Sequence, residues 1–313
     1  MTGAGYRRAM TLNENADIDT SQVTDARGSG GGRVGGGGLG GIPIPMGGGI
    51  VGTLIVIGLA LVGTFLGPQM FGGGDDGGPG VNETCSTANP DRLDKAECRN
   101  ALYINSIQAY WRDALPQTFG KPYEQTDTVF FSQSVNTACG AADSGVGPFY
   151  CPPDKLVYID LSFYEELATR FGADGQFAQP YVLAHEYGHH LQNLLGISAD
   201  VQRQSERDPS GANALSVKLE LQADCLAGVW AKHATETKDA KGTAIFKSVT
   251  QQDIDQALEA AAAIGDDKIQ EKSGSPIDES KFTHGTAKQR KDWFNNGFSS
   301  GDGRQCDTFS KGV

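Results

Sequence analysis

The sequence has no excess of basic residues, because its 38 acidic residues outnumber its 26 lysines and arginines and give a formal net charge of -12. That balance disfavours a nucleic-acid partner, since the phosphate backbone is bound through clustered positive charge. The sequence also has no CxxC pair, so it lacks the cysteine spacing of a metal or redox site. No internal repeat is visible. The 313 residues suffice for one or two domains with a sizeable core.

Glycine is abundant, with 43 residues, and much of the excess lies in the N-terminal part of the chain. The stretch GGGRVG has the glycine spacing of a nucleotide-binding loop. No predicted strand precedes it and no amphipathic helix follows it, so we interpret the match as accidental. Glycine-rich sequence of this kind cannot offset the entropy that ordering would cost. We therefore predict that residues 1–47 form a disordered tail.

An uncharged apolar run, IVGTLIVIGLALVGTFL, occupies residues 50–66. Together with its glycine flanks, it fits a membrane span of roughly twenty residues. A buried core helix usually shows a polar side, and a cleaved signal peptide has a shorter apolar region near the terminus. We therefore predict a single transmembrane helix over residues 48–67, followed by a linker over residues 68–90.

The basic residues of the N-terminal part predict the orientation of this span. Four arginines precede the apolar run, namely Arg7, Arg8, Arg27 and Arg33, and the next basic residue is Arg92. The positive-inside tendency keeps such an N-terminus in the cytoplasm and sends the following part across the membrane. The sequence therefore predicts a single-pass membrane protein with a cytoplasmic tail and an extracytoplasmic domain over residues 91–313.

Six cysteines follow the apolar run, and none precedes it. An even number confined to the exported part suggests disulfides, although six cysteines allow fifteen pairings. We favour the two short-range pairs, Cys85 with Cys98 and Cys139 with Cys151, which leaves Cys225 for Cys306. The alternative is six reduced, buried thiols in a cytoplasmic domain, which would contradict the charge argument.

Hydrophobic periodicity predicts an α+β domain that is mostly helical and carries a small sheet. The first helix covers residues 93–115, and Pro116 is expected to end it. Strands are expected at TVFFSQSV, from Thr128, and at KLVYIDLSF, from Lys155. The further predicted helices are a short one in SFYEELATRFG, one over residues 180–195, one over residues 212–232, and one in QQDIDQALEAAAAIG.

The stretch AHEYGHHLQ is the strongest functional signal in the sequence. Positions four apart on a helix share one face, so His185 and His189 can direct their imidazoles at one point. Zinc accepts neutral imidazole well, and Glu186 can reach a metal-bound water without binding the metal. HExxH alone is only moderately specific, and a third ligand is needed. The alternative is a polar helix with three histidines, of which we expect His190 to face solvent or to support a ligand.

A third ligand is available downstream, in KLELQADCLAG. Glu220 and Asp224 lie four apart on a predicted helix and therefore share a face. Glu220 can supply the third ligand, and Asp224 can accept the free N–H of a ligand histidine, which fixes its tautomer. Without the HExxH sequence, both acids would be interpreted as a solvated helix face. Cys225 points away from Glu220, so we interpret it as structural.

These residues carry a resemblance to a known family. AHEYGHHLQ and ELQADCLAG, together with TACG, GPFYCPPD, VYIDLSF and HGTAKQRKDWFNNGF, resemble the bacterial family named "putative neutral zinc metallopeptidases". The resemblance covers the chain from about residue 90 to its end, and also the glycine-rich, membrane-anchored front. It implies a zincin-like peptidase domain of the gluzincin type in the bacterial cell envelope, with one zinc ion and a peptide or protein substrate. By that likeness His185, His189 and Glu220 match the zinc ligands, and Glu186 matches the catalytic glutamate.

The resulting hypothesis is hydrolysis of a peptide bond by a metal-activated water, with Glu186 as general base. A further donor must stabilise the oxyanion. His284 or a tyrosine could serve, and we favour His284 because HGT lies in a loop before a helix. Two alternatives stay open: a catalytically silent zinc-binding module that interacts with partners in the envelope, and a structural anchor protein without a metal.

Overall fold

The computed structural model describes residues 10–27 and 81–310 of the chain. The predicted span over residues 48–67 lies outside these described residues, as do most of the predicted tail and linker. Within the described ranges, no helix is both long enough and apolar enough to cross a bilayer.

The described residues contain nine α-helices, and the fold is mixed α/β and mostly helical, as predicted. The helices are α1 (Val81–Thr84), α2 (Ala96–Phe119), α3 (Phe163–Thr169), α4 (Ala178–Leu194), α5 (Ile197–Arg207), α6 (Ala212–His233), α7 (Gln251–Ala263), α8 (Asp266–Lys272) and α9 (Ala287–Ser300).

The strands of the described residues form one four-stranded sheet and two short antiparallel pairs. They are β1 (Thr11–Leu12), β2 (Val23–Asp25), β3 (Thr128–Phe131), β4 (Ser134–Thr137), β5 (Gly140–Asp143), β6 (Phe149–Cys151), β7 (Leu156–Asp160) and β8 (Phe246–Ser248). The sheet has the order β2-β3-β7-β6, with β2, β3 and β7 parallel and β6 antiparallel to β7. Strand β1 pairs with β8, and β4 pairs with β5.

Helix α6 lies at the centre of the domain. Nearly all of its side chains from Ser216 to Ala231 are buried, so it is a core helix with neighbours on all sides and has no solvated face. Helices α4 and α9 pack against it. The main core brings together aromatic side chains from several elements, among them Trp111 of α2 and Trp230 of α6.

Two local sequence predictions are corrected by the structure. Helix α2 does not end at Pro116; it continues to Phe119 and is terminated by Gly120, which has φ 67° and donates its N–H to the Pro116 carbonyl. A proline in the last turn loses only its own N–H bond, and the left-handed glycine provides the actual stop. The stretch TVFFSQSV is two strands, because the backbone turns at Gln133, where φ is 65°.

Residues 10–27 belong to the folded domain, so the predicted disorder of residues 1–47 is wrong for this segment. Strand β2 forms the edge of the main sheet, and the Met10 N–H donates to the buried carboxylate of Asp253 at 2.8 Å. The buried guanidinium of Arg92 donates to the carbonyls of Glu14 and Ala16 at 2.7 and 2.6 Å. These bonds join the segment to residues far along the chain, and they provide the stabilisation that its own composition lacks.

The domain also begins earlier than predicted. Helix α1 and Cys85 lie inside the predicted linker over residues 68–90, and Cys85 forms a disulfide with Cys98 on α2. The other two predicted pairings are confirmed, with Cys139 bonded to Cys151 and Cys225 bonded to Cys306.

Candidate metal centre

The predicted ligands meet in the interior of the domain. His185 and His189 lie one turn apart on α4, Glu220 lies on α6, and all three side chains are buried. The Nε2 atom of His185 is 3.1 Å from Oε2 of Glu220, and Nε2 of His189 is 3.4 Å from Oε1. The candidate ligand atoms all lie within 4.8 Å of one another. The two helices therefore bring three potential ligands to one point.

A glycine makes this approach possible. Gly188 lies between the two histidines on α4, and a Cβ added there would be 2.9 Å from the Cα of Ala223 on α6. Real Cβ atoms do not come so close to a neighbouring backbone, so a larger residue at position 188 would push the helices apart. Because Ala223 lies between Glu220 and Asp224 on α6, the glycine sets how closely both acids approach α4.

Asp224 supports His185 as predicted from the spacing. Its Oδ1 atom is 2.8 Å from Nδ1 of His185 and also accepts the Tyr181 hydroxyl at 2.6 Å. Arg290, on α9, donates to both carboxylate oxygens of Asp224, from Nε at 2.7 Å and from Nη2 at 2.9 Å. Both partners are almost fully buried. Sequence reasoning missed Arg290 and Tyr181, and these residues complete the support of this ligand.

The buried charges favour a cation at the ligand point. Burial alone raises the pKa of Asp224, but Arg290 and His185 outweigh it and lower that pKa to about 2. Burial likewise opposes ionisation of Glu220, yet His189 and His284 bring its pKa well below the ordinary value. Burial lowers the pKa of His185, but Asp224 and Glu220 outweigh it and raise that pKa to about 10.

The donor set fits zinc. Zinc–ligand bonds of about 2.0–2.2 Å in a tetrahedral arrangement place ligand atoms roughly 3.3–3.6 Å apart. The Nε2 atoms of His185 and His189 lie 3.1 and 3.4 Å from the two separate carboxylate oxygens of Glu220, and both distances are close to that spacing. Two imidazoles and one carboxylate are also a donor set that zinc accepts readily. Each histidine Nδ1 contacts an acceptor, Asp224 for His185 and the Gln192 amide for His189, so both Nε2 atoms face Glu220.

Glu186 lies beside the three potential ligands but is not part of their group. It lines the same small cavity, of about 40 Å³, as His185, His189 and Glu220. Its Oε2 atom is buried and has no hydrogen-bond partner among the described residues. Burial raises the pKa of Glu186, and the neighbouring histidines oppose this shift. A buried carboxylate oxygen without a hydrogen-bond partner is energetically costly, so its presence in this cavity calls for a functional explanation.

His284 lines this cavity as well, from the loop before α9. Its Nδ1 atom is 3.2 Å from Oδ1 of Asp266. The other oxygen of Asp266 accepts the backbone N–H groups of Thr283, His284 and Gly285 at 2.7, 2.6 and 2.9 Å. Burial lowers the pKa of His284, but Glu220 and Asp266 outweigh it and raise that pKa. Asp266 therefore fixes both the loop and the imidazole ring.

The two remaining histidines, His190 and His233, do not line this cavity. His190 is buried, so of the two roles expected for it, facing solvent or supporting a ligand, the first is wrong. Its ring contacts the Tyr150 hydroxyl at 3.1 Å and the Glu124 carbonyl at 2.7 Å, and burial lowers its pKa to about 4. His190 therefore packs α4 against the sheet side of the domain. Cys225 is structural, as predicted, because it forms the disulfide with Cys306.

The two histidines, the glutamate and their buried supports define a candidate zinc centre on two core helices. Residues 13–309 match the family described as "Putative neutral zinc metallopeptidase", and the chain belongs to this family. The family name implies zinc and a peptide substrate. These findings bear out the resemblance seen in the sequence.

Similar proteins occur in Escherichia coli and in mycobacteria. The uncharacterized protein YpfJ of Escherichia coli K12 is 46% identical over 217 residues, which are 68% of this chain and 72% of YpfJ. The uncharacterized proteins Mb2605 of Mycobacterium bovis and Rv2575 of Mycobacterium tuberculosis H37Rv are each 43% identical over 234 residues, which are 74% of this chain and 77% of the relative. No solved structure matches the chain significantly.

Proposed function

We propose that the protein is a zinc-dependent peptidase that hydrolyses peptide bonds, with Glu186 as the general base. The observation that carries this proposal is the position of Glu186. Its unpartnered carboxylate oxygen lies in the cavity lined by His185, His189 and Glu220. A purely structural metal site has no need for a free carboxylate beside its ligands.

The three ligand residues and Glu186 divide the chemistry between them. His185, His189 and Glu220 would hold one zinc ion, which supplies an acidified water and polarises the scissile carbonyl. Glu186 takes a proton from the attacking water and returns it to the leaving amine.

We assign the stabilisation of the developing oxyanion to His284. Tyr181 and Arg290 are also donors in the cavity. The Tyr181 hydroxyl already donates to Asp224 at 2.6 Å, and the Arg290 guanidinium donates to Asp224 and to the Ile264 carbonyl. His284 has its Nδ1 atom directed to Asp266, so the opposite nitrogen is left for a substrate oxygen. A bound zinc would cancel much of the negative charge of Glu220, and Asp266 would then be the partner that orients the ring.

The proposal is tested on the purified protein by measuring bound zinc and the cleavage of casein, with and without a chelator. We expect about one zinc per chain, cleavage that stops on chelation, and recovery when zinc is added back. Stoichiometric zinc without cleavage would favour the silent zinc-binding interaction module. A protein that binds no zinc would refute the metal centre itself.

A further inference from the structure

The two candidate ligand histidines are supported by acceptors of different charge. His185 directs Nδ1 to the Asp224 carboxylate, whereas His189 directs Nδ1 to the neutral amide of Gln192 at 2.9 Å. Gln192 follows His189 by three positions on α4, and its side chain is fully buried. Residues three apart on a helix are neighbours, so this contact is set by local geometry.

The orientation of the Gln192 amide is fixed by a backbone carbonyl. Its Nε2 atom is 2.7 Å from the carbonyl oxygen of Leu219, on α6, which can only accept a hydrogen bond. The NH₂ group must therefore face Leu219, and Oε1 must face His189. Because Oε1 can only accept, His189 must carry its proton on Nδ1. The lone pair of His189 Nε2 is then directed at Glu220, where a metal would bind.

A second amide, that of Gln222 on α6, extends this chain of hydrogen bonds. Gln222 accepts from Nε2 of Gln192 at 3.2 Å and donates its own Nε2 to the carbonyl of Cys306 at 2.9 Å. The backbone of Cys306 is tied to α6 by the disulfide with Cys225. Both amides therefore donate to backbone carbonyls, which can only accept a hydrogen bond. The order of donors and acceptors in this series of hydrogen bonds therefore cannot be reversed.

We propose that Gln192 is a positioning residue that fixes the tautomer and ring orientation of His189 for metal binding. The proposal rests on the metal centre of the proposed function and deepens it. A neutral acceptor suits this position, because Glu186 and Glu220 already place two buried carboxylates in the cavity and Asp224 places a third behind His185. A fourth carboxylate would add buried negative charge next to the Leu219 carbonyl, which offers no donor.

The tautomer is tested first on the parent protein, which needs no variant. Long-range proton–nitrogen spectra of the zinc-loaded protein, with ¹⁵N-labelled histidine, should show His189 with a proton on Nδ1 and metal at Nε2. A His189 ring that binds metal through Nδ1 would overturn the proposal. If the parent binds no zinc at all, the proposed function fails first, and the two failures are thereby distinguished.

The variant Gln192→Leu removes the acceptor while keeping similar size and helix propensity. We expect its zinc affinity, measured by competition with a chelator, to fall about 10- to 100-fold, as is typical when the support of a ligand is lost. Gln179→Leu is the matched control on the same helix, because the side-chain oxygen of Gln179 has no hydrogen-bond partner among the described residues. An affinity of Gln192→Leu equal to that of this control would contradict the proposal.

A rescue experiment separates positioning from packing. Gln192→Glu restores an acceptor for His189 Nδ1 but gives no donor to Leu219, so it should recover part of the zinc affinity lost in Gln192→Leu. Its thermal stability should not recover in parallel, because the Leu219 carbonyl stays unpaired. If Gln192→Glu binds zinc no better than Gln192→Leu, then Gln192 acts only by packing, and the assignment is wrong.

Discussion

At the scale of single residues, Arg290 has the largest predicted effect on stability outside the ligands themselves. Its guanidinium donates two hydrogen bonds to Asp224, and both side chains are almost fully buried. Removing one partner of a buried ion pair leaves an uncompensated charge, which typically costs about 3–5 kcal/mol. We therefore expect Arg290→Met to lower the free energy of unfolding by about that amount in urea titrations.

The matched control for this prediction is Arg304→Met. Arg304 also binds an aspartate, Asp302, at 2.7 Å, but its side chain is 69% exposed. Exposed ion pairs of this kind contribute little to stability, because water and salt screen the two charges. Equal stabilities of the two variants would show that the contact between Arg290 and Asp224 does not hold α9 and α6 together.

The residues of the centre differ in how far they could be predicted. The positions of His185, His189, Glu220 and Asp224 follow from spacings of four on two helices, and that information is local. Tyr181 lies four residues before His185, and Gln192 lies three after His189, so the same helical spacing could have found both. Arg290 carries no such signal, because its partner Asp224 is 66 positions away and KQRKDW looks like a solvated charged stretch.

At the scale of elements, the close contact between α6 and α9 depends on glycines. A Cβ on Gly297 would lie 1.9 Å from the carbonyl oxygen of Cys225, which is backbone and cannot rotate away. Helical Gly→Ala changes normally stabilise by about 0.5–1 kcal/mol. Here we expect Gly297→Ala to destabilise instead, by about 3 kcal/mol, at the upper end of overpacking costs.

The control for Gly297→Ala is Asn295→Ala, an exposed position on the same helix. It should be neutral or slightly stabilising, because alanine is the better helix former. The measurement is thermal or urea unfolding of both variants beside the parent. A stabilised Gly297→Ala protein would mean that α9 is not packed against α6 as closely as described, and the position of Arg290 would then be in question.

The helices were more predictable than the sheet. The predicted helix over residues 212–232 differs from α6 by one residue at its end, because its apolar pattern is long and regular. The short strands β2 and β8 were missed, because three residues carry no usable periodicity. Each of them also pairs with a strand that is distant in the sequence, β3 for β2 and β1 for β8. The extension of α2 beyond Pro116 was missed because the stop depends on the left-handed conformation of Gly120.

At the scale of the whole molecule, the packing of residues 10–27 bears on the topology. This segment supplies the edge strand of the main sheet and is bonded to residues up to 243 positions away. A single membrane crossing by residues 50–66 would place residues 10–27 and 81–310 on opposite sides. The observed packing requires both ranges on the same side. A single membrane crossing is therefore incompatible with this packing. Three disulfides favour an oxidising compartment for the folded domain.

We therefore expect residues 10–27 and the domain to be accessible from the same side, outside the cytoplasm. All six cysteines are paired, so an introduced cysteine is the only free thiol. Glu14→Cys and Glu259→Cys are both exposed positions, and a membrane-impermeant maleimide should label them to the same extent in intact cells. The contrary result is labelling of Glu259→Cys alone in intact cells, with Glu14→Cys labelled only after the membrane is permeabilised. That result would support a single crossing with a cytoplasmic N-terminus.

The central claim is that two buried glutamates in one cavity have different tasks, and one paired measurement tests it. Bound zinc and hydrolysis of a quenched peptide are measured at one pH for Glu186→Gln, Glu220→Ala and Asp224→Ala. Glu186→Gln should keep its zinc and lose most turnover, whereas Glu220→Ala should lose both. Asp224→Ala should weaken zinc binding by about 10- to 100-fold. A Glu220→Ala protein that binds zinc like the parent, or a fully active Glu186→Gln, would contradict the account.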